Sequence, residues 1–217
     1  MEIKYLGHSA FEIETNEKKV LIDPYLVMVP NYKPQNIYDI FVTHAHGDHL
    51  GSAIDISKQT GAKITAIFEL ANYCARFGAK INPIGLGSWF DYSWGRAIAV
   101  PAFHSSSTPD GAYGGCPCGF IFEIEGKIIY HAGDTCLNSE MKMIGEIYEP
   151  DIVMLPIGGT YTMDIEHAVK AAEWLGASEV IPMHYNTFDA IKADISEFER
   201  QIREIGKMPH IMQIQPN

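Results

Sequence analysis

Short apolar runs, some alternating with polar residues and some continuous, punctuate the chain. EIKYL at 2–6, AFEIE at 10–14 and KVLI at 19–22 are parted by Gly7-His8 and Thr15-Asn16-Glu17. That spacing predicts a meander of antiparallel strands. IFVT at 40–43 is nearly continuous in β-forming residues, which predicts a strand buried on both faces. A helix is expected over 50–60 with a stop at Gly61, a strand over 63–68, and a helix over 69–77 closed by Gly78.

The second half repeats this order. AIAVPAF at 97–103, GFIFEIE at 119–125 and KIIYHA at 127–132 read as strands, the last two joined as a hairpin through Glu125-Gly126-Lys127. A helix is expected over 138–148, a buried strand over 151–157, and a helix over 165–175 with Asp164 as its N-cap. EVIPM at 179–183 is a further strand. Ile191, Ile195, Phe198, Ile202 and Ile205 mark an amphipathic helix over 189–205. Strand-rich sections with helices outside them call for two sheets packed face to face and helices on both outer faces. The expected fold class is α/β (α+β by some schemes), a four-layer αββα sandwich in one domain over 1–217.

The composition is that of a globular protein: 47% hydrophobic and 20% charged over 217 residues. No window approaches the ~18 consecutive apolar residues of a membrane span. The N-terminus shows no basic segment leading into an apolar one, so a cytoplasmic location is expected. The net charge of −11 runs against a surface that grips long nucleic acids. Cys116 and Cys118 are parted by one residue, whereas structural zinc sites use two to four. They read as two free thiols in a loop rather than as a second metal site.

The chemistry concentrates in Thr43-His44-Ala45-His46-Gly47-Asp48-His49. On an extended segment, side chains at i and i+2 point the same way, so His44 and His46 can share a cation. Gly47 then permits a turn that swings Asp48 and His49 toward a second one. Two coordination spheres need further ligands, and other strand ends offer them: His104 after AIAVPAF, Asp134 in HAGDT, and His184 after EVIPM.

These residues resemble the metallo-β-lactamase superfamily. The run THAHGDH with His104, the GDT of Asp134 and His184 carry the likeness. LGHSAF, LIDPY, GGTYTMD and MHYNTF narrow it to a UPF0173-like metal-dependent hydrolase branch, related to the bacterial ascorbate-6-phosphate lactonases. The resemblance implies an αββα fold and a dinuclear site. It implies that His44, His46 and His104 hold one ion, Asp48, His49 and His184 hold the other, and Asp134 bridges them. Two divalent cations about 3.5–4 Å apart can share a water and lower its pKa toward ~7. Asp48 would be catalytic, orienting that hydroxide or carrying a proton to the leaving group. Zinc is the first expectation, with manganese, iron, nickel and cobalt as alternatives.

Around this centre several roles stay open. His8 is either a turn histidine bonded to the backbone or a pocket residue facing the metals. Asp23 either fixes the tautomer of a ligand histidine or caps a turn. Tyr161 and Tyr185 either meet the substrate or pack in the core. The loop 105–119 is expected to shape a mouth or act as a lid, and backbone amides of 158–163 to hold a substrate oxygen. His131 reads as a core residue or one behind the ligands; neither His167 nor His210 is assigned to metal. The expected reaction is hydrolysis of a small-molecule ester, lactone or phosphoester. A nucleic-acid phosphodiesterase and a non-catalytic metal-binding scaffold are the alternatives. Diiron reductases of this fold carry a glutamate in the first motif and an added flavin domain, and this chain has neither. A homo-oligomer is expected as partner state.

Overall fold

The computed structural model describes residues 1–215, so the last two positions of the expected 1–217 domain lie outside the described residues. The first sheet runs in chain order: β1 (Glu2–Gly7), β2 (Ala10–Thr15), β3 (Lys18–Ile22), β4 (Ile37–Phe41), β5 (Lys63–Ile67) and β6 (Lys80–Ile84). β1 to β3 are antiparallel, and pairing from β3 to β6 is parallel. The second sheet has the same plan. β7 (Trp89–Tyr92), β8 (Gly95–Pro101), β9 (Cys118–Ile124) and β10 (Lys127–His131) are antiparallel, whereas β11 (Ile152–Pro156), β12 (Glu179–Met183) and β13 (Met208–Pro209) extend it in parallel. Tight turns suffice between antiparallel neighbours, while parallel pairing demands crossovers. Those crossovers carry α1 (Gly47–Leu50), α2 (Ala53–Thr60), α3 (Phe68–Ala75), α4 (Glu140–Tyr148), α5 (Ile165–Leu175) and α6 (Ile195–Glu204).

Alternation along the first sheet decides what each face buries. Phe11, Ile13, Val20, Ile22 and Phe41 join Ile98, Phe120 and Phe122 of the second sheet in one core. Phe41 meets Phe120 and Phe122 edge-to-face, at centroid distances of 5.0 and 4.9 Å. Leu21, Ile40, Val42 and Ile64 face the other way, toward Ile56 of α2 and Leu70 of α3. Met141 of α4, Ala168 of α5 and Phe198 of α6 cover the outer side of the second sheet. This is the αββα sandwich. No helix among the described residues is long and apolar enough to cross a membrane.

Several boundaries differ from the expected ones. β6, β7 and β13 were not anticipated, and each lies at a sheet edge, where strands are short and half exposed. Pro83 in β6 is tolerated there for the same reason. The helix expected over 50–60 starts only at Ala53; Leu50 closes the preceding α1, and Gly51 (φ 42°) separates the two. A Cβ at Gly51 would stand 2.4 Å from the Pro24 carbonyl oxygen, so no side chain fits. The helix expected over 189–205 starts only at Ile195. Asp194 caps it by accepting from the Ser196 and Glu197 amides, and a single 3-10 turn at Asp189–Ile191 precedes it.

Candidate metal centre

Loops leaving the C-terminal ends of strands in both sheets meet at one end of the sandwich. His44 and His46 follow β4, His104 follows β8, Asp134 follows β10 and His184 follows β12. Asp48 and His49 lie on α1, the single helical turn capped by His46. The expected swivel at Gly47 is therefore a helical turn; Gly47 itself keeps an ordinary negative φ.

The structure brings all seven residues together. His44 Nε2 lies 2.9 Å from His46 Nδ1, and His44, His46 and His104 offer ligand atoms within 4.8 Å of one another. Asp48, His49 and His184 do the same, with His8 as a fourth member. Asp134 stands between the two sets. Its Oδ2 is 3.1 Å from His184 Nε2, 3.5 Å from His104 Nε2 and 4.0 Å from His44 Nε2. Its Oδ1 is 3.2 Å from His49 Nε2. Four buried side-chain polar atoms lack a hydrogen-bond partner among the described residues, and three belong to this cluster: His49 Nε2, Asp134 Oδ1 and His184 Nδ1. Buried polar atoms are seldom left so. Imidazole nitrogens and carboxylate oxygens at these spacings fit divalent cations.

The electrostatics agree with that use. Burial, then the neighbouring His49, pushes His44 well below the usual histidine range. Burial also lowers His46 and His104. All three thus keep a lone pair free for a cation. Burial alone would lower His49, but Asp134 and then Asp23 overcome it and raise it well above the ordinary value. Burial would raise Asp134, yet His49 and His184 hold it well below the usual carboxylate range. A cation would take over the role that the His49 proton plays here.

Asp23 is the hub behind the ligands. It is fully buried at φ 44°, and it accepts from the Thr43 amide at 2.8 Å, the Thr43 hydroxyl at 2.7 Å and His49 Nδ1 at 2.8 Å. With its proton given to Asp23, the Thr43 oxygen accepts from His44 Nδ1 at 3.1 Å. One carboxylate thus turns the Nε2 atoms of two histidines toward the cluster. His131 is fully buried behind the cluster and joins no metal-capable group among the described residues. Its Nε2 donates to the Ser9 carbonyl at 3.0 Å, and its Nδ1 accepts from the Gly133 amide at 3.2 Å. It ties the β1–β2 turn to the loop that carries Asp134.

The remaining candidates separate cleanly. Tyr161 is exposed, so core packing does not apply to it, whereas Tyr185 packs against the main core. The 105–119 loop is pinned over much of its length and is no free lid. Ser106 Oγ accepts from the Ala45 amide at 3.2 Å, and the Cys118 amide donates to the Thr43 carbonyl at 3.0 Å. A Cβ at Gly114 would stand 2.3 Å from that of Ala45. Four amides of the 158–163 segment are already engaged within the fold. Those of Gly159, Tyr161, Thr162 and Met163 donate to the carbonyls of Met163, Gly159, Gly159 and Thr135. His167 pairs with Asp164 and His210 with Glu179, both on the surface. The four cysteines are free, and none joins a metal-capable group among the described residues. Thr43, Thr187 and Ser106 were missed; a hydroxyl close in sequence to a ligand histidine was the only available signal.

Comparison with known proteins places the chain among metal-dependent hydrolases. A family model described as the beta-lactamase superfamily domain matches residues 2–184. A UPF0173 metal-dependent hydrolase of Staphylothermus marinus is 47% identical over 211 residues, covering 92% of this chain and 90% of that one. One from Thermus thermophilus is 44% identical over 216 residues, covering 98% and 96%. Among solved structures, Igni18, a metallo hydrolase from Ignicoccus hospitalis, superposes with a TM-score of 0.88 at 37% identity, covering 97% of this chain and 94% of that one.

Proposed function

The chain belongs to the beta-lactamase superfamily, and from that premise we propose that it is a hydrolase cleaving a small-molecule ester, lactone or phosphoester at a two-cation centre. One observation carries this reading: six ligand-type side chains from three strand ends converge on Asp134, which follows a fourth, and His49 Nε2 and Asp134 Oδ1 lie buried 3.2 Å apart without a hydrogen bond among the described residues. His44, His46 and His104 would hold one cation and Asp48, His49 and His184 the other, with Asp134 shared between them. When bound, such cations polarise the oxygen under attack and supply an activated water.

The chain's own residues prepare that step. Asp23 and Thr43 fix His49 and His44, so no rotamer entropy is spent on orienting them when substrate arrives. Asp48 is half-exposed, at the open side of the cluster. Burial would raise its pKa, but its histidine neighbours, His8 and then His49, hold it well below the usual carboxylate range. A carboxylate held ionised accepts hydrogen bonds and orients a water; proton delivery to a leaving group asks for a higher pKa. Exposed Phe103 and Tyr161, next to His104 and in the loop after β11, offer apolar surface to a small substrate. The −11 net charge supports a small molecule over a nucleic acid.

The test is metal analysis of the purified protein, followed by lactones, carboxylic esters, phosphodiesters and phosphomonoesters offered to wild type and Asp48→Ala. Turnover should fall further in the variant than metal content does. Wild-type turnover in Asp48→Ala would refute the role of Asp48. Failure to cleave any substrate class after reconstitution would favour a scaffold.

A further inference from the structure

His8 is walled in by rings, with centroids at 4.1 Å (His184), 5.4 Å (Phe188), 5.6 Å (Tyr25) and 5.6 Å (His49). Its backbone has φ 57°, a conformation L side chains rarely adopt. Its carbonyl accepts from the His184 amide at 2.7 Å and the Tyr5 hydroxyl at 3.0 Å, which locks it to the strand end bearing His184. A turn histidine serving only the backbone would need none of this confinement. Nor would it turn both ring nitrogens to polar partners, Nδ1 to Thr187 Oγ1 at 3.0 Å and Nε2 to Asp48 Oδ2 at 3.2 Å.

The protons can be placed. The Thr187 hydroxyl donates to the Tyr185 carbonyl at 3.4 Å, leaving its oxygen to accept from His8 Nδ1–H. A neutral ring protonated at Nδ1 turns the Nε2 lone pair toward the Asp48 carboxylate. Two acceptors facing each other at that distance repel, and a cation between them converts the repulsion into coordination. The ligand atoms of His8, Asp48, His49 and His184 all lie within 4.8 Å of one another. His49 shows the same arrangement, an acceptor on Nδ1 and Nε2 left for the cluster.

We propose that His8 is a further ligand of the second cation, completing a set with Asp48, His49 and His184 and oriented by Thr187. The inference rests on the two-cation reading. It makes the second cation the more fully enclosed of the two, so the first, on His44, His46 and His104, is the one with positions left for substrate.

Ion binding tests this without recourse to turnover. Chelator-stripped wild type, His8→Ala, His8→Gln and Thr187→Val would be titrated with Zn2+ against a chromophoric chelator, and with Co2+, whose visible bands report ligand number. Wild type should take two ions. His8→Ala and His8→Gln should each loosen one ion by about 100-fold or more and change the Co2+ spectrum, leaving the other ion alone. Thr187→Val should loosen the same ion by about 10–100-fold. Glutamine keeps a donor for Asp48, so wild-type affinity in His8→Gln would make His8 a hydrogen-bond partner only and overturn the proposal. Two ions bound at wild-type strength by His8→Ala would do the same. If both His8 variants melt too low to titrate, Thr187→Val decides: unchanged affinity for both ions overturns the proposal. Fewer than two ions on wild type would instead bring down the two-cation reading itself.

Discussion

Replacing Asp23 with alanine removes the acceptor that three buried donors share: the Thr43 amide, the Thr43 hydroxyl and His49 Nδ1. Each donor left unsatisfied costs about 1–3 kcal/mol, and the losses are not additive. Water entering the vacated space relieves part of it, so about 3–5 kcal/mol overall is expected, the range for breaking a buried charged pair. For a protein of this size that lowers Tm by roughly 6–20 °C. Urea denaturation of the metal-free protein at pH 7 measures the stability, and chelator competition measures ion affinity. Affinity should drop by about 10–100-fold, because His49 loses its orienting partner directly and His44 loses it through Thr43. Thr43→Val separates the two routes: it keeps the Asp23–His49 bond and should disturb only the ion held by His44. A destabilisation below about 1 kcal/mol with unchanged ion affinity in Asp23→Ala would refute the hub assignment.

Two further outcomes follow from the same network. His131→Leu strands the Ser9 carbonyl and the Gly133 amide and should cost about 2–4 kcal/mol by urea unfolding; a cost under about 1 kcal/mol would show that the tie does not matter. Burial lowers the pKa of His44, His46 and His104, so these rings stay neutral, and cation-binding, below the ordinary histidine value of 6.5. The ion on these three should be retained as the pH falls past that value and be released only as it passes the lowered ones. Metal content after dialysis at graded pH checks this, and loss of both ions at or above pH 6.5 would contradict it.

Sheet layering and the candidate ligands were legible along the chain. Periodicity marks interior strands such as IFVT and DIVMLPI because both of their faces are buried, and burial is what writes apolar runs into a chain. His44, His46, Asp48 and His49 were legible because they crowd into six residues, and His104, Asp134 and His184 because each follows an apolar run. Edge strands β6, β7 and β13 left no such mark, since an edge needs little hydrophobicity. What stands behind the candidate ligands emerged from packing. Asp23 reaches His49 across 26 positions and His131 reaches Ser9 across 122, contacts that exist because two sheets fold face to face. The same packing decided backbone conformation at His8, Asp23 and His184, all at positive φ. Such strain persists only where surrounding packing over-determines it, and local sequence carries no record of that packing.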